Sequence, residues 1–171
     1  MDPSMAAYFP NITPEQALLI QNSPMFFIAT VAQTPDAISE GVGPINLSPK
    51  GGVLLHILNP NRVAFLNYAG SGDETARHTA SGSPITVMVC SFESEDAAIV
   101  RLYGQATVTP IAKSELAEQL LAAGATEMKL TPRQVVEIEV EKTSTSCGYG
   151  VPVMEFVRDR RTVDHGRKYK K

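Results

Sequence analysis

The chain has no tryptophan, only two cysteines and no apolar run near the roughly 20 residues that a membrane-spanning helix needs. Cys90 and Cys147 lack Cys-x-x-Cys spacing, so a disulfide framework is excluded and a reduced, cytoplasmic setting is expected. The opening Met1 to Tyr8 has no basic segment followed by an apolar core, which predicts no secretory signal. There is no Gly-x-Ser-x-Gly elbow for a hydrolytic serine. His56 and His78 have no carboxylate or cysteine at zinc-like spacing, so no metal site is expected. There is no internal repeat.

Cations are also scarce where they would matter. From Arg158 onward there are seven basic and two acidic residues, leaving eight basic against sixteen acidic residues before it. A body so acidic is a poor nucleic-acid binder. Before Lys113 its cations are Lys50, Arg62, Arg77 and Arg101, and any anion held there is expected to use several of these four. We read residues 1–157 as one domain and 158–171 as a basic, solvated tail. The length of 171 residues and an apolar content of 43% suit a single folded unit with a proper core.

One stretch looks built to hold something. Arg62 to Tyr68 is short and apolar, a predicted strand. Gly70-Ser71-Gly72 follows as a turn that leaves backbone N–H groups uncovered, and Asp73 to Ala80 reads as two helical turns ended by Gly82 and Pro84. Strand, glycine turn and helix start together make an anion site, with Thr75 and Arg77 as further donors. Asp73 and Glu74 are ordinary first-turn residues whose charge opposes a phosphate.

Elsewhere, Thr13-Pro14-Glu15-Gln16 carries a capping box and starts a helix to Asn22, with Ala17, Leu18 and Ile20 as its apolar face. Met25 to Val31 reads as a core strand, and Thr34 to Glu40 as a polar loop. Val42 to Leu47 and Val53 to Leu58 are two further strands. Ile85 to Phe92 and Ala97 to Val108 form a long pair around an acidic turn. Ala112 to Ala123 is an amphipathic helix with Leu116, Leu120 and Leu121 inward, closed by Gly124. Val135 to Val140 alternates as a strand with one wet face. Cys147 reads as a buried cysteine in a turn. Six or seven strands with short connections predict a closed antiparallel barrel of mainly β class.

Four stretches in this order resemble the pyridoxamine 5′-phosphate oxidase-like flavoproteins, the FMN-binding split barrels. They are Phe26-Phe27-Ile28-Ala29-Thr30, Asn46-Leu47-Ser48-Pro49-Lys50-Gly51, Gly70 to His78, and Val100-Arg101-Leu102-Tyr103-Gly104. Ser146 to Pro152 is similar to one uncharacterised subgroup. The resemblance implies a homodimer of six-stranded antiparallel split barrels with a few flanking helices and FMN between subunits. It implies that Ser48 and Lys50 sit at the flavin and its phosphate arm, and that Ser71, Gly72, Thr75 and Arg77 hold the phosphate. Leu66, Asn67 and Tyr68 would line the flavin edge, and Arg101 and Tyr103 would reach in from the second subunit. The implied activity is hydride or electron transfer through FMN with a small-molecule substrate or electron donor. A non-catalytic flavin carrier is the alternative, as is a split-barrel reductase using deazaflavin or haem. Pyridoxamine phosphate oxidases also carry an arginine-x-histidine pair near the C-terminus. Here the tail reads Asp164-His165-Gly166-Arg167, which argues against vitamin B6 oxidation.

Overall fold

The computed structural model describes residues 6–38, 43–70, 72–123 and 131–160. Among them are eight strands: β1 (Ala7–Phe9), β2 (Met25–Val31), β3 (Ile45–Gly51), β4 (His56–Asn59), β5 (Arg62–Tyr68), β6 (Pro84–Cys90), β7 (Ala98–Pro110) and β8 (Pro132–Cys147). Three α-helices join them, α1 (Pro14–Asn22), α2 (Glu74–Ala80) and α3 (Ala117–Ala123). Among the described residues all strand pairings are antiparallel, in the order β3-β2-β6-β7-β8-β5-β4, with β1 added along β8.

The expected closed barrel of six strands is corrected on both counts. The sheet has eight strands and stays open, because β3 and β4 end the ladder without pairing to each other. β4 covers β5 only from Arg62 to Ala64, so Phe65 to Tyr68 have no strand on that side among the described residues.

Side-chain alternation sorts residues onto two faces. Phe26 and Ile28 of β2, Val63 and Phe65 of β5, Val87 of β6, Leu102 of β7 and Ile138 of β8 turn into the main core. Phe26 and Phe65 meet edge to face with ring centres 5.3 Å apart, a favoured aromatic geometry. On the other face of β5, Ala64 and Leu66 pack with Val135 and with Leu120 of α3.

α1 starts as its sequence dictates: Gln16 N–H donates to Thr13 Oγ1 and Thr13 N–H to Gln16 Oε1. Its docking face differs from the expected one. Gln16 and Ile20, four apart, are buried, whereas Leu18 is 60% exposed. Gln16 tolerates burial because its amide also donates to Thr145 Oγ1 at 3.0 Å.

Other boundaries shift. β3 runs on through Ser48-Pro49-Lys50-Gly51, and β4 is shorter than Val53 to Leu58. The helix expected over Ala112 to Ala123 divides into a 3-10 turn at Ile111–Lys113 and α3, with Leu121 exposed. β8 extends far beyond Val140, and Cys147 at its end is exposed rather than buried. Val42, Ser71, Gly124 and the tail from 161 lie outside the described residues. No described helix is long and apolar enough to cross a membrane.

Where β7 pairs with β8, the register shifts between Tyr103 and Gly104. A Cβ on Gly104 would enter the Glu139 carbonyl and crowd Val140. Both obstacles are backbone held in the ladder, so they cannot rotate away. Gly104→Ala is expected to cost about 3 kcal/mol or more, at the upper end of overpacking effects. Urea unfolding monitored by circular dichroism measures this.

Candidate functional site

The site forms where the two ends of the sheet come within side-chain reach. Asn46, Ser48 and Lys50 alternate along one face of β3, opposite Thr30, Ile28 and Phe26 of β2. That face looks towards the core interior, and Lys50 stands at its rim. On the far end of the ladder, Asn67 of β5 follows Val63 and Phe65 on the same face. Lys50 Nζ donates to Asn67 Oδ1 at 3.3 Å, and Asn67 Nδ2 to Gln134 Oε1 of β8 at 3.3 Å. This side-chain chain spans the gap that the backbone leaves open.

α2 lies against β2 and β7 and is fixed by buried polar groups. Ser48 Oγ donates to Asn46 Oδ1 at 2.6 Å. Asn46 Nδ2 donates to Thr30 Oγ1 at 3.1 Å and Thr75 Oγ1 at 3.2 Å. Thr30 Oγ1 in turn lies 2.9 Å from His78 Nδ1. Thr30, Asn46, Thr75 and His78 are all buried. Three elements are thus locked together by hydrogen bonds that would be costly to leave unmade. Thr30, Asn46 and His78 each lie in one of the four stretches singled out in the sequence but were given no site role there; the β2–β3 register and the α2 packing unite them.

Around Lys50 the charges are dense. Arg77 Nη2 lies 3.2 Å from Glu74 Oε1. Arg133, at the start of β8, donates through Nη2 to Asp73 Oδ1 at 2.9 Å and to the Gly72 carbonyl at 3.2 Å. Arg77 and Arg133 each keep a buried Nε with no hydrogen-bond partner. Burial first, and the nearby Arg133 guanidinium second, hold the Lys50 ammonium below its ordinary pKa of 10.5, with Glu74 pulling the other way. Of the four cations expected to serve an anion, Lys50 and Arg77 stand here. Arg62 instead pairs with Glu137 at 2.6 Å, and Arg101 donates to Ser146 Oγ at 2.9 Å. Arg133 was not among the four, because nothing local marks it. The pairing of Asn67 with Gln134 and of Tyr68 with Pro132 carries it to α2.

The remaining predicted residues divide. Ser48, Lys50, Asn67, Gly72, Thr75 and Arg77 gather at this corner, and Ser71 lies outside the described residues. Leu66 and Tyr68 point to the opposite face of β5, towards α3; burial pushes the Tyr68 phenol up. Arg101 and Tyr103 stand on the outer face of β7, away from the corner within one chain. Tyr103 is 3.3 Å from Ser144 Oγ, with Lys142 Nζ 5.5 Å from its ring centre.

An open, eight-stranded antiparallel sheet with a helix lodged at the gap defines the split-barrel class. No family model matches the chain. It is 32% identical over 120 residues to the pyridoxamine 5′-phosphate oxidase family protein ustO of Aspergillus flavus, covering 69% of this chain and 47% of that one. The chain thus spans about half the length of this curated relative. A candidate pyridoxamine 5′-phosphate oxidase of Lactobacillus delbrueckii superposes with a TM-score of 0.57 at 21% identity, over 79% of this chain and 94% of its own. The haem storage protein HutZ of Vibrio cholerae gives 0.51 at 16% identity, over 76% and 90%. The chain belongs to the pyridoxamine 5′-phosphate oxidase-like family.

A lysine whose folded pKa lies under its unfolded value binds fewer protons in the fold, so its penalty on stability is full at neutral pH. That penalty lifts as pH climbs towards 10.5. Lys50→Met is expected to melt at a higher temperature than the wild-type chain at pH 7, with the gap narrowing at alkaline pH. Thermal melts of both ligand-free proteins across pH 7 to 10.5 check this.

Proposed function

We propose that the chain binds FMN at this corner and serves as a flavin-dependent oxidoreductase. The observation that carries the reading is the pair of buried, partnerless Nε atoms on Arg77 and Arg133 beside a charged lysine. Guanidinium forks left short of acceptors fit a phosphate group, which offers several oxygens and a charge near −2. Lys50 and Arg77 would hold that group, with Gly72 letting it approach the backbone and Thr75 fixing the helix behind it. The open edge of β5 from Phe65 to Tyr68 supplies unpaired strand backbone for the polar rim of a flavin ring, and Ser48 adds a hydroxyl.

When bound, FMN supplies hydride and single-electron chemistry. The chain's own contribution is placement: Lys50 and Asn67 close the gap between the two sheet ends, and the Asn46 network keeps α2 from drifting. Lys50 also gives positive charge at the site, which favours electron-rich ligands. We name no catalytic acid or base. The haem-storing neighbour suggests a second cofactor class. Flavin is favoured because His78 is buried and engaged with Thr30 through Nδ1, whereas the corner is rich in phosphate donors.

We read the outer face as the seat of a second copy. Ile45 and Leu47 of β3 are 72% and 66% exposed. By register, Leu47 lies in one row with Ala29, Thr86 and Tyr103, so Tyr103 and its neighbour Arg101 share that face. A partner docked there would meet both residues.

The purified protein is expected to show flavin absorbance and to release FMN on denaturation; a colourless protein that takes up no FMN would refute the reading. Arg77→Ala should weaken FMN by about 1.5–3 kcal/mol in a fluorescence titration. Leu47→Glu should convert a dimer to a monomer in light scattering and weaken FMN with it, since a charge buried unpaired in an interface is costly.

A further inference from the structure

We propose that Arg133 is a third ligand of the phosphate, and that Asp73 and Glu74 are place-holders which surrender Arg133 and Arg77 to the incoming anion. The inference rests on the anion reading above and deepens it, giving Arg133 a ligand's role and the two acids a part in binding. Arg133 reaches the corner from β8, some sixty positions along the chain, and joins Lys50 of β3 and Arg77 of α2. Three cations from three separate elements are brought together by the fold, in a body with eight basic residues before Arg158. Like charges so gathered repel, and Asp73 and Glu74 offset that repulsion in the ligand-free chain.

The way the acids sit favours exchange over permanent pairing. Each carboxylate takes only terminal guanidinium nitrogens: Glu74 Oε1 meets Arg77 Nη2, and Asp73 Oδ1 meets Arg133 Nη2. Both forks are left with the adjacent Nε buried and unused. By contrast, Arg62 turns both Nε and Nη2 to Glu137, although to the single oxygen Oε1. Glu74 also folds back over Gly72, so that a Cβ there would run into its carboxylate. The acid thereby covers Gly72, a position without a side chain where an anion can approach closely. Both acids are part exposed and can swing into water. With both acids present the three cations carry a net single positive charge, so moving either acid favours the phosphate.

The test compares FMN, riboflavin, which lacks the phosphate, and inorganic phosphate on the full chain and on Arg133→Met, Arg133→Lys and Glu74→Gln. Arg133→Met should weaken FMN about 10–100-fold, the range of a lost charged hydrogen bond, and leave riboflavin unchanged. Arg133→Lys should recover part of the loss. Glu74→Gln should tighten FMN about 3–10-fold by removing a negative charge several ångströms from the phosphate. Urea midpoints identify any variant that fails to fold, and Glu74→Gln supplies an independent gain of binding. Unchanged FMN affinity in Arg133→Met, or weaker binding in Glu74→Gln, overturns the proposal. Should the wild-type chain take no FMN, its melting temperature is followed in inorganic phosphate. A rise that needs Arg133 and grows in Glu74→Gln upholds the exchange and discards the flavin. No rise overturns both.

Discussion

The β7–β8 ladder is the constraint from which the rest of the molecule hangs. Thirteen residues of β7 find partners on β8, and the sheet grows outward from that pair, through β6, β2 and β3 on one side and β5 and β4 on the other. Because strands twist with one hand, a sheet extended this way curls until its ends approach. It does not close here. Lys50 and Asn67 bridge the remaining distance with side chains, and a gap bridged by polar side chains is a place where a ligand can enter.

The corner has two layers with different physics. Behind it, Asn46, Thr30, Thr75 and His78 are buried and mutually satisfied, which makes for rigidity. In front, Lys50, Arg77 and Arg133 are part exposed and crowded, and the two arginines each keep a buried Nε without a partner. A stiff base under a crowded charge cluster suits the anion proposed for this corner. It holds its donors ready at some cost to stability.

Much of this was legible in the residues. The capping box at Thr13, the dense run of β2, the strand from Arg62 to Tyr68 and the short helix after Gly72 rest on local rules, and they stand where those rules put them. What escaped was set by distant pairing. The second half of β8 mixes Glu141, Lys142 and Thr143 without alternation, so it shows no strand period until β1 and β7 pair with it. Leu18 looked inward by hydrophobicity, but the amide of Gln16 had a partner waiting on β8. Arg133 follows a proline in an unremarkable segment, and only the β5–β8 register brings it beside Asp73. Openness of the sheet was equally invisible, since strand count says nothing about whether the edges meet.

The Gln16 side chain has one more implication. Its carboxamide oxygen helps start α1 while its nitrogen grips Thr145, so a single planar group joins the birth of a helix to its berth on the sheet. Fraying of that first turn and detachment of the whole helix are therefore one event.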